Sequence, residues 1–256
     1  MRAPSRARVA LDVLRGGRRH SYAGHRWARC ELHRPRGAGP FPVAVVIHGG
    51  SWHAGYGKVL MRPVCRDLVR RGWAAWNIEY RRLGGRQGGG WPATFDDVAT
   101  AIDALPGADE RLDLDRVVFL GHSAGGHLAL WAAGTTARAP ELRPAAVVAQ
   151  APMADLERGD GPLVHALLGG TPAEQPERYA QANPARQVPL RMPELLVHGA
   201  DDATVGVQQS RRYAAAARAA GGAVELVEPP GRHRDHIDPR SPAWAAAAER
   251  LDTLAG

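Results

Sequence analysis

The sequence predicts a single α/β domain, residues 1-256, with a mostly parallel central sheet, helices on both faces and a small cap insertion. Three observations carry that expectation. Short β-rich apolar runs recur, each followed by a glycine-bearing loop and then a segment of helical period. One of them, PVAVVI at residues 42-47, is continuously apolar, as a strand buried on both faces should be. And 256 residues suit one unit with a substantial core.

In chain order, residues 26-33 alternate and run into Pro35, as an early strand would, and residues 42-47 form the next strand. Residues 58-71 read as a helix ended by Gly72. Residues 73-78 are a strand, and 94-105 a helix stopped by Pro106-Gly107. RVVFL at 116-120 is a strand that runs through Gly121 into an Ala/Leu-rich helix over 124-133. Residues 145-149 and 194-197 are two further strands, and the Pro-rich, weakly patterned stretch 151-193 between them is the expected cap. A helix over 205-220, a strand over 224-227 and a final helix over 241-254, opened by Ser241-Pro242, complete the chain.

Bulk properties narrow the function classes. A hydrophobic fraction of 45% and a charged fraction of 23% are those of a soluble globular protein. No apolar run approaches the length of a membrane span. The Arg-rich start, residues 1-8, lacks the apolar core of a secretory signal. Cys30 and Cys65 have no metal or disulfide spacing and read as buried or half-buried thiols, consistent with a cytoplasmic protein. The net charge of +7 invites a nucleic-acid partner, but the basic residues, all arginine except Lys58, are scattered and form no stripe interleaved with aromatics.

The chemistry begins at Gly121-His122-Ser123-Ala124-Gly125, a G-x-S-x-G turn between a strand and a helix. Such a turn holds a serine in a strained conformation at a helix N-terminus and lifts its hydroxyl above the sheet. Six serines occur, and only Ser123 has this setting. The second signal, His48-Gly49-Gly50-Ser51-Trp52, follows the PVAVVI strand directly. Acyl transfer places negative charge on a carbonyl oxygen, and glycines let backbone N–H groups approach it. The expected oxyanion donors are Gly50 or Ser51 together with Ala124.

With these motifs, and with NIEYRRLG and GGGWPATFDDV between them, the chain from about residue 26 onward resembles the α/β-hydrolase esterase families that include kynurenine formamidases and bacterial feruloyl-esterase-like (BD-FAE-like) proteins. His-Gly-Gly-x-Trp is the form these families carry. The resemblance implies the α/β-hydrolase fold and a Ser-Asp-His triad in that chain order. The segment His198-Gly199-Ala200-Asp201-Asp202-Ala203-Thr204-Val205 is similar to the families' His-Gly-x-x-Asp-x-x-Val, a spacing that selects Asp202 over Asp201. Gly206 replaces the usual proline. Both aspartates also suit the cap of a following helix.

The histidine comes from Gly231-Arg232-His233-Arg234-Asp235-His236-Ile237-Asp238-Pro239. Aligning Ile237-Asp238-Pro239 with the families' Asp-His-Phe-Asp-x-Ile-Asp-Pro places His233 on the catalytic histidine. Arg232 then stands where aspartate is common and Arg234 where phenylalanine is. His236 is the alternative, and geometry relative to Ser123 decides between them.

Other residues have plainer readings. His48 and His198 orient loops, His127 packs, Glu79, Tyr80 and Arg81 brace loops, and Asp96 and Asp97 suit a helix start. Trp52, with His122, is a candidate substrate contact; Trp52 and Trp91 equally suit wedges between loops. His233-x-Asp235-His236 resembles part of a metal-binding run, but Gly231 stands where its first histidine would be, so no metal or cofactor is expected.

The leading expectation is a carboxylic-ester hydrolase for small or medium acyl groups. The alternative is an arylformamidase of the kynurenine formamidase kind. The rival from another class is a non-catalytic binding protein on the same fold. The expected partner is a small ester or formamide, with no nucleic acid or membrane, for a monomer or homodimer.

Overall fold

The computed structural model describes residues 3-135, 142-159 and 161-254. Within them lie eight strands: β1 (Arg18–Ser21), β2 (Arg29–His33), β3 (Phe41–Ile47), β4 (Ala74–Ile78), β5 (Leu112–His122), β6 (Pro144–Gln150), β7 (Glu194–Val197) and β8 (Val224–Val227). They form one sheet in the order β1-β2-β4-β3-β5-β6-β7-β8. The β1–β2 and β2–β4 pairings are antiparallel and the other five are parallel.

The helices are α1 (Arg6–Leu14), α2 (Arg62–Arg70), α3 (Ala93–Asp103), α4 (Ala124–Thr135), α5 (Pro162–Leu168), α6 (Pro176–Ala182), α7 (Gln208–Ala219), α8 (Pro242–Ala248) and α9 (Leu251–Leu254). No described helix is long and apolar enough to cross a membrane.

The apolar run of β3 is explained by a sheet covered on both sides. Side chains alternate faces along a strand. Val43, Val45 and Ile47 therefore join Phe119 and residues of α3, α4 and α7 in one core cluster, while Ala44 and Val46 join Val118, Leu120 and residues of α2 and α8 in the other. The Ala/Leu-rich α4 has no solvent face over residues 124-133, all of them buried. Across the second layer, the Trp244 indole N–H donates to Asp67 Oδ2 at 2.8 Å, and Asp67 also pairs with Arg70 and Arg71.

The structure corrects several boundaries. Residues 3-21 are not featureless: α1 and β1 lie there. Their polarity hides the period, because α1 is anchored through the buried Asp12, which pairs with Arg8, Arg66 and Arg70. The strand expected from residue 26 starts at Arg29. The helix expected over 58-71 opens as a 3-10 turn, Lys58–Met61, before α2. The strand expected over 116-120 extends over Leu112–His122, and the last helix is split into α8 and α9. The helix expected from residue 205 starts at Gln208, because the Thr204 and Val205 amides are bonded to Asp202 and the Val205 carbonyl to His198. The stretch 151-193, whose Asp160 lies outside the described residues, carries α5, α6 and a 3-10 turn, Pro184–Arg186.

Candidate active site

The carboxyl ends of the parallel strands bring the predicted residues together. Ser123 sits between β5 and α4 with φ +56, a left-handed conformation that costs a non-glycine residue of order 1–3 kcal/mol. Its amide is held by the Gln150 carbonyl at 2.8 Å, and its carbonyl accepts the His127 amide at 3.0 Å. The flanking glycines follow from close approach: a methyl group on Gly121 would collide with the Gly125 carbonyl, and one on Gly125 with the Ile47 carbonyl. Ala124 is the first residue of α4, so its N–H has no acceptor within the helix.

The loop after β3 turns through three successive positive φ angles, Gly50 at 114, Ser51 at 53 and Trp52 at 54. It is closed by the His53 amide on the Gly50 carbonyl (2.9 Å) and tied to a neighbouring loop by the Leu83 amide on the Trp52 carbonyl (2.7 Å). Beneath it lies a buried imidazole–carboxylate pair. His48 Nε2 donates to Glu79 Oε1 at 2.7 Å, its Nδ1 lies 2.7 Å from the Gly49 carbonyl, and its ring stacks on Tyr80 at 4.3 Å. The Tyr80 hydroxyl donates to the His48 carbonyl at 2.8 Å. Burial alone would raise the Glu79 carboxyl, but the charge and hydrogen bond of His48, with Arg82 and Lys58, hold it below its ordinary range. Arg81 does not join this pair; it forks onto Asp97 at 2.7 and 2.9 Å. Asp97 thus anchors the loop after β4 rather than serving α3 as a helix-start acid alone.

Asp202 and His233 meet. His233 Nδ1 donates to Asp202 Oδ2 at 2.7 Å, while Oδ1 accepts the Thr204 and Val205 amides at 2.8 and 2.9 Å. The helix-cap reading of Asp202 is not met: α7 starts only at Gln208 with no side-chain cap, and Oδ1 instead holds the turn at Thr204 and Val205 while Oδ2 takes the His233 ring. Burial would raise this carboxyl, but the hydrogen bonds of His198, His233 and the Val205 amide outweigh it and keep the group ionised well below the usual carboxylate range. Asp201 is exposed.

His198 bonds Ser210 Oγ and the Val205 carbonyl, both at 2.8 Å, and so fixes the turn. His236 is buried, and its Nε2 accepts the Gly199 amide at 3.0 Å. Desolvation lowers it to about 3, so it is a neutral brace. His122 Nε2 donates to the His233 carbonyl at 2.8 Å, and burial followed by the charges of His233 and His236 keeps it neutral. It positions the His233 loop as well as lining the cavity.

Two cavities, each of about 220 Å³, share Ser51, Ser123 and Thr204. One is of mixed character, with His122, His233 and Arg234 beside Tyr56, Leu60 and Ile237 in its wall. The other is apolar, with Trp52, Ala124, Met153, Pro162, Leu163, Val164 and Val205. The insertion thus supplies one wall of the second cavity. Trp52 lines it and stacks edge-on against His127 at 5.3 Å, whereas Trp91 packs on Phe95 at 4.9 Å. His127 itself donates to the Ala182 carbonyl at 2.9 Å, linking α4 to the insertion. Sequence reasoning did not single out Met153, Leu163, Val164 or Tyr56, since apolar residues in an unpatterned insertion and lone loop residues carry no periodic signal.

Known proteins share this fold and much of this sequence. The family model BD-FAE matches residues 31–216. The chain is 32% identical over 227 residues to esterase LipQ of Mycobacterium tuberculosis, an alignment covering 81% of this chain and 52% of that protein. It spans about half the length of the curated relatives it matches. Among solved structures, Thermogutta terrifontis esterase 2, phosphoramylated by tabun, superposes with a TM-score of 0.73 at 25% identity, covering 93% of each chain. A truncated carbohydrate esterase from gut microbiota superposes with a TM-score of 0.79 at 19% identity, covering 94% of this chain and 99% of that one, a likeness of fold. The fold is the α/β-hydrolase fold, and the chain belongs to the BD-FAE family.

Proposed function

We propose that this member of the BD-FAE family is a serine esterase acting on small or medium acyl groups. The observation that carries the reading is the imidazole of His233, held at one nitrogen by the ionised Asp202 and lining one cavity with Ser123 beneath the Gly50-Ser51 loop. The Ser123 hydroxyl attacks the ester carbonyl as His233 takes its proton, and Asp202 fixes the ring and stabilises the imidazolium. The carbonyl oxygen gathers charge against the amides of Gly50 or Ser51 and of Ala124; losing one such donor costs about 10²–10³ in rate. His233 then passes its proton to the leaving alcohol, and water repeats the cycle on the acyl-enzyme.

That proton transfer sorts the substrate's two halves. The leaving oxygen must come within reach of His233, so the alcohol half occupies the cavity that His233 and Arg234 line. The acyl half then takes the apolar cavity, which Ala124 and Trp52 line. The relatives named above are esterases, which favours an ester over a formamide.

The test is fluorophosphonate labelling together with hydrolysis of p-nitrophenyl acetate, butyrate and octanoate, with N-formylkynurenine assayed alongside. Wild type labels and turns over esters, whereas Ser123→Ala loses labelling and at least about 10³ in rate. A wild-type chain that neither labels nor hydrolyses any ester supports the binding-protein reading instead. Turnover of N-formylkynurenine about 100-fold above the best ester supports the formamidase.

A further inference from the structure

The wall of the alcohol-side cavity contains a cation that the hydrolytic chemistry does not use. Arg234 follows His233 on the 3-10 turn His233–Ile237 and lines the same cavity as His233 and Ser123. No carboxylate is among the residues lining that cavity. The carboxylates nearest in sequence are already engaged. Asp235 accepts the Arg232 amide at 2.7 Å, and Asp238 is forked by Arg240 at 2.8 and 2.5 Å. Asp202, behind His233, is occupied by that ring and two amides. Among the described residues, the structure gives the Arg234 guanidinium neither an ion pair nor a hydrogen bond, in contrast to Arg240 on the same loop.

We propose that Arg234 is a specificity-determining residue that selects esters whose alcohol half carries an anionic group, a carboxylate first among them. The proposal rests on the esterase reading above and deepens it. The alcohol must lie on the His233 side of Ser123 to receive its proton, so a substituent on that alcohol extends along the wall Arg234 lines. A guanidinium presents a planar fork of N–H donors that matches a carboxylate with two parallel hydrogen bonds. With no acid lining the cavity to neutralise it, the fork is available to the substrate. An anion on the acyl half would instead enter a cavity lined by Trp52, Met153, Leu163 and Val164, where it has no such partner.

The test compares 4-acetoxybenzoate, whose leaving phenol bears a carboxylate, with 4-acetoxybenzamide, its neutral counterpart. Each kcat/KM is divided by the ester's own hydroxide rate constant to remove intrinsic reactivity. Wild type prefers the benzoate by about tenfold at low ionic strength, and the preference shrinks with added salt. Arg234→Gln abolishes the preference, and Arg234→Lys restores part of it. Arg143→Gln removes one positive charge near the opposite ends of the strands, where Arg143 pairs with Asp115 at 3.5 Å, and leaves the preference in place. Phenyl hemisuccinate, which carries its carboxylate on the acyl half, gains nothing from Arg234.

A ratio near unity in wild type, or one unchanged in Arg234→Gln, overturns the proposal while ester hydrolysis itself stands. A loss equal in Arg143→Gln also overturns it, since the preference would then come from net charge. Failure of wild type to hydrolyse either ester removes the proposal and the esterase reading together.

Discussion

Two imidazole–carboxylate pairs lie at the carboxyl ends of the strands with the same separation, His233 to Asp202 and His48 to Glu79, each 2.7 Å. They differ in what happens at the remaining atoms. The second nitrogen of His48 faces the Gly49 carbonyl, and its ring is sealed against Tyr80. The second oxygen of Glu79 accepts the Lys58 amide at 3.2 Å. That pair is saturated and serves to hold the loop that carries Gly50 and Ser51. His233 instead spends Nδ1 on Asp202 and brings the rest of its ring to the cavity wall beside Ser123. Pairing with an acid therefore does not mark a catalytic histidine. The proposed base, His233, is the ring fixed on one side and open on the other.

The largest expected effect breaks the open pair. His233→Ala and Asp202→Asn each lower kcat by about 10³–10⁴, with the Asp202→Asn chain still folded by circular dichroism. Equal losses in folded Glu79→Gln would erase the distinction between the two pairs.

Glu79→Gln should act first on stability. Removing one partner of a buried pair costs about 3–5 kcal/mol, read as a lower urea midpoint, with a smaller change in kcat through the slackened loop. An unchanged midpoint would mean the pair holds nothing.

Acid tests the histidines that burial keeps neutral. Burial lowers His127 from 6.5 to about 4 and His236 to about 3, and it places His122 well below 6.5. In the unfolded chain these rings take protons near 6.5, whereas in the folded chain they do so only at the lower values. Their contribution is therefore complete above pH 6.5 and is lost as pH falls toward 4, at up to about 1.4 kcal/mol per pH unit for each ring. Urea midpoints at pH 7, 6 and 5 should fall in that order, and a flat series would contradict the neutral assignments.

The smallest effect concerns the histidine that sits three places beyond His233. His236→Leu loses a buried acceptor for the Gly199 amide, worth about 1–3 kcal/mol of stability, and changes kcat/KM by less than about tenfold. A loss comparable to that of His233→Ala would assign the general base to His236 instead.

Much of this site was legible in one dimension because its chemistry needs special backbone. The glycines around Ser123 and the Gly-Gly after β3 are forced by close approach and positive φ, and such constraints leave fixed letters at fixed spacings. The continuous apolar run of β3 announced a sheet covered on both faces. Asp202 was preferred to Asp201, and His233 to His236, by likeness to a family, and the residues themselves left the histidine open.

What only the folded chain decided was which atoms remain unspent. Sequence cannot show that His236 gives its nitrogen to the Gly199 amide, that His48 is saturated, or that Asp235 and Asp238 are engaged while Arg234 faces the cavity. Those facts depend on contacts between loops far apart in the chain. Hydrogen bonds saturate, so the function of a polar side chain is fixed by what its neighbours have left free, and spacing along the chain carries no record of that.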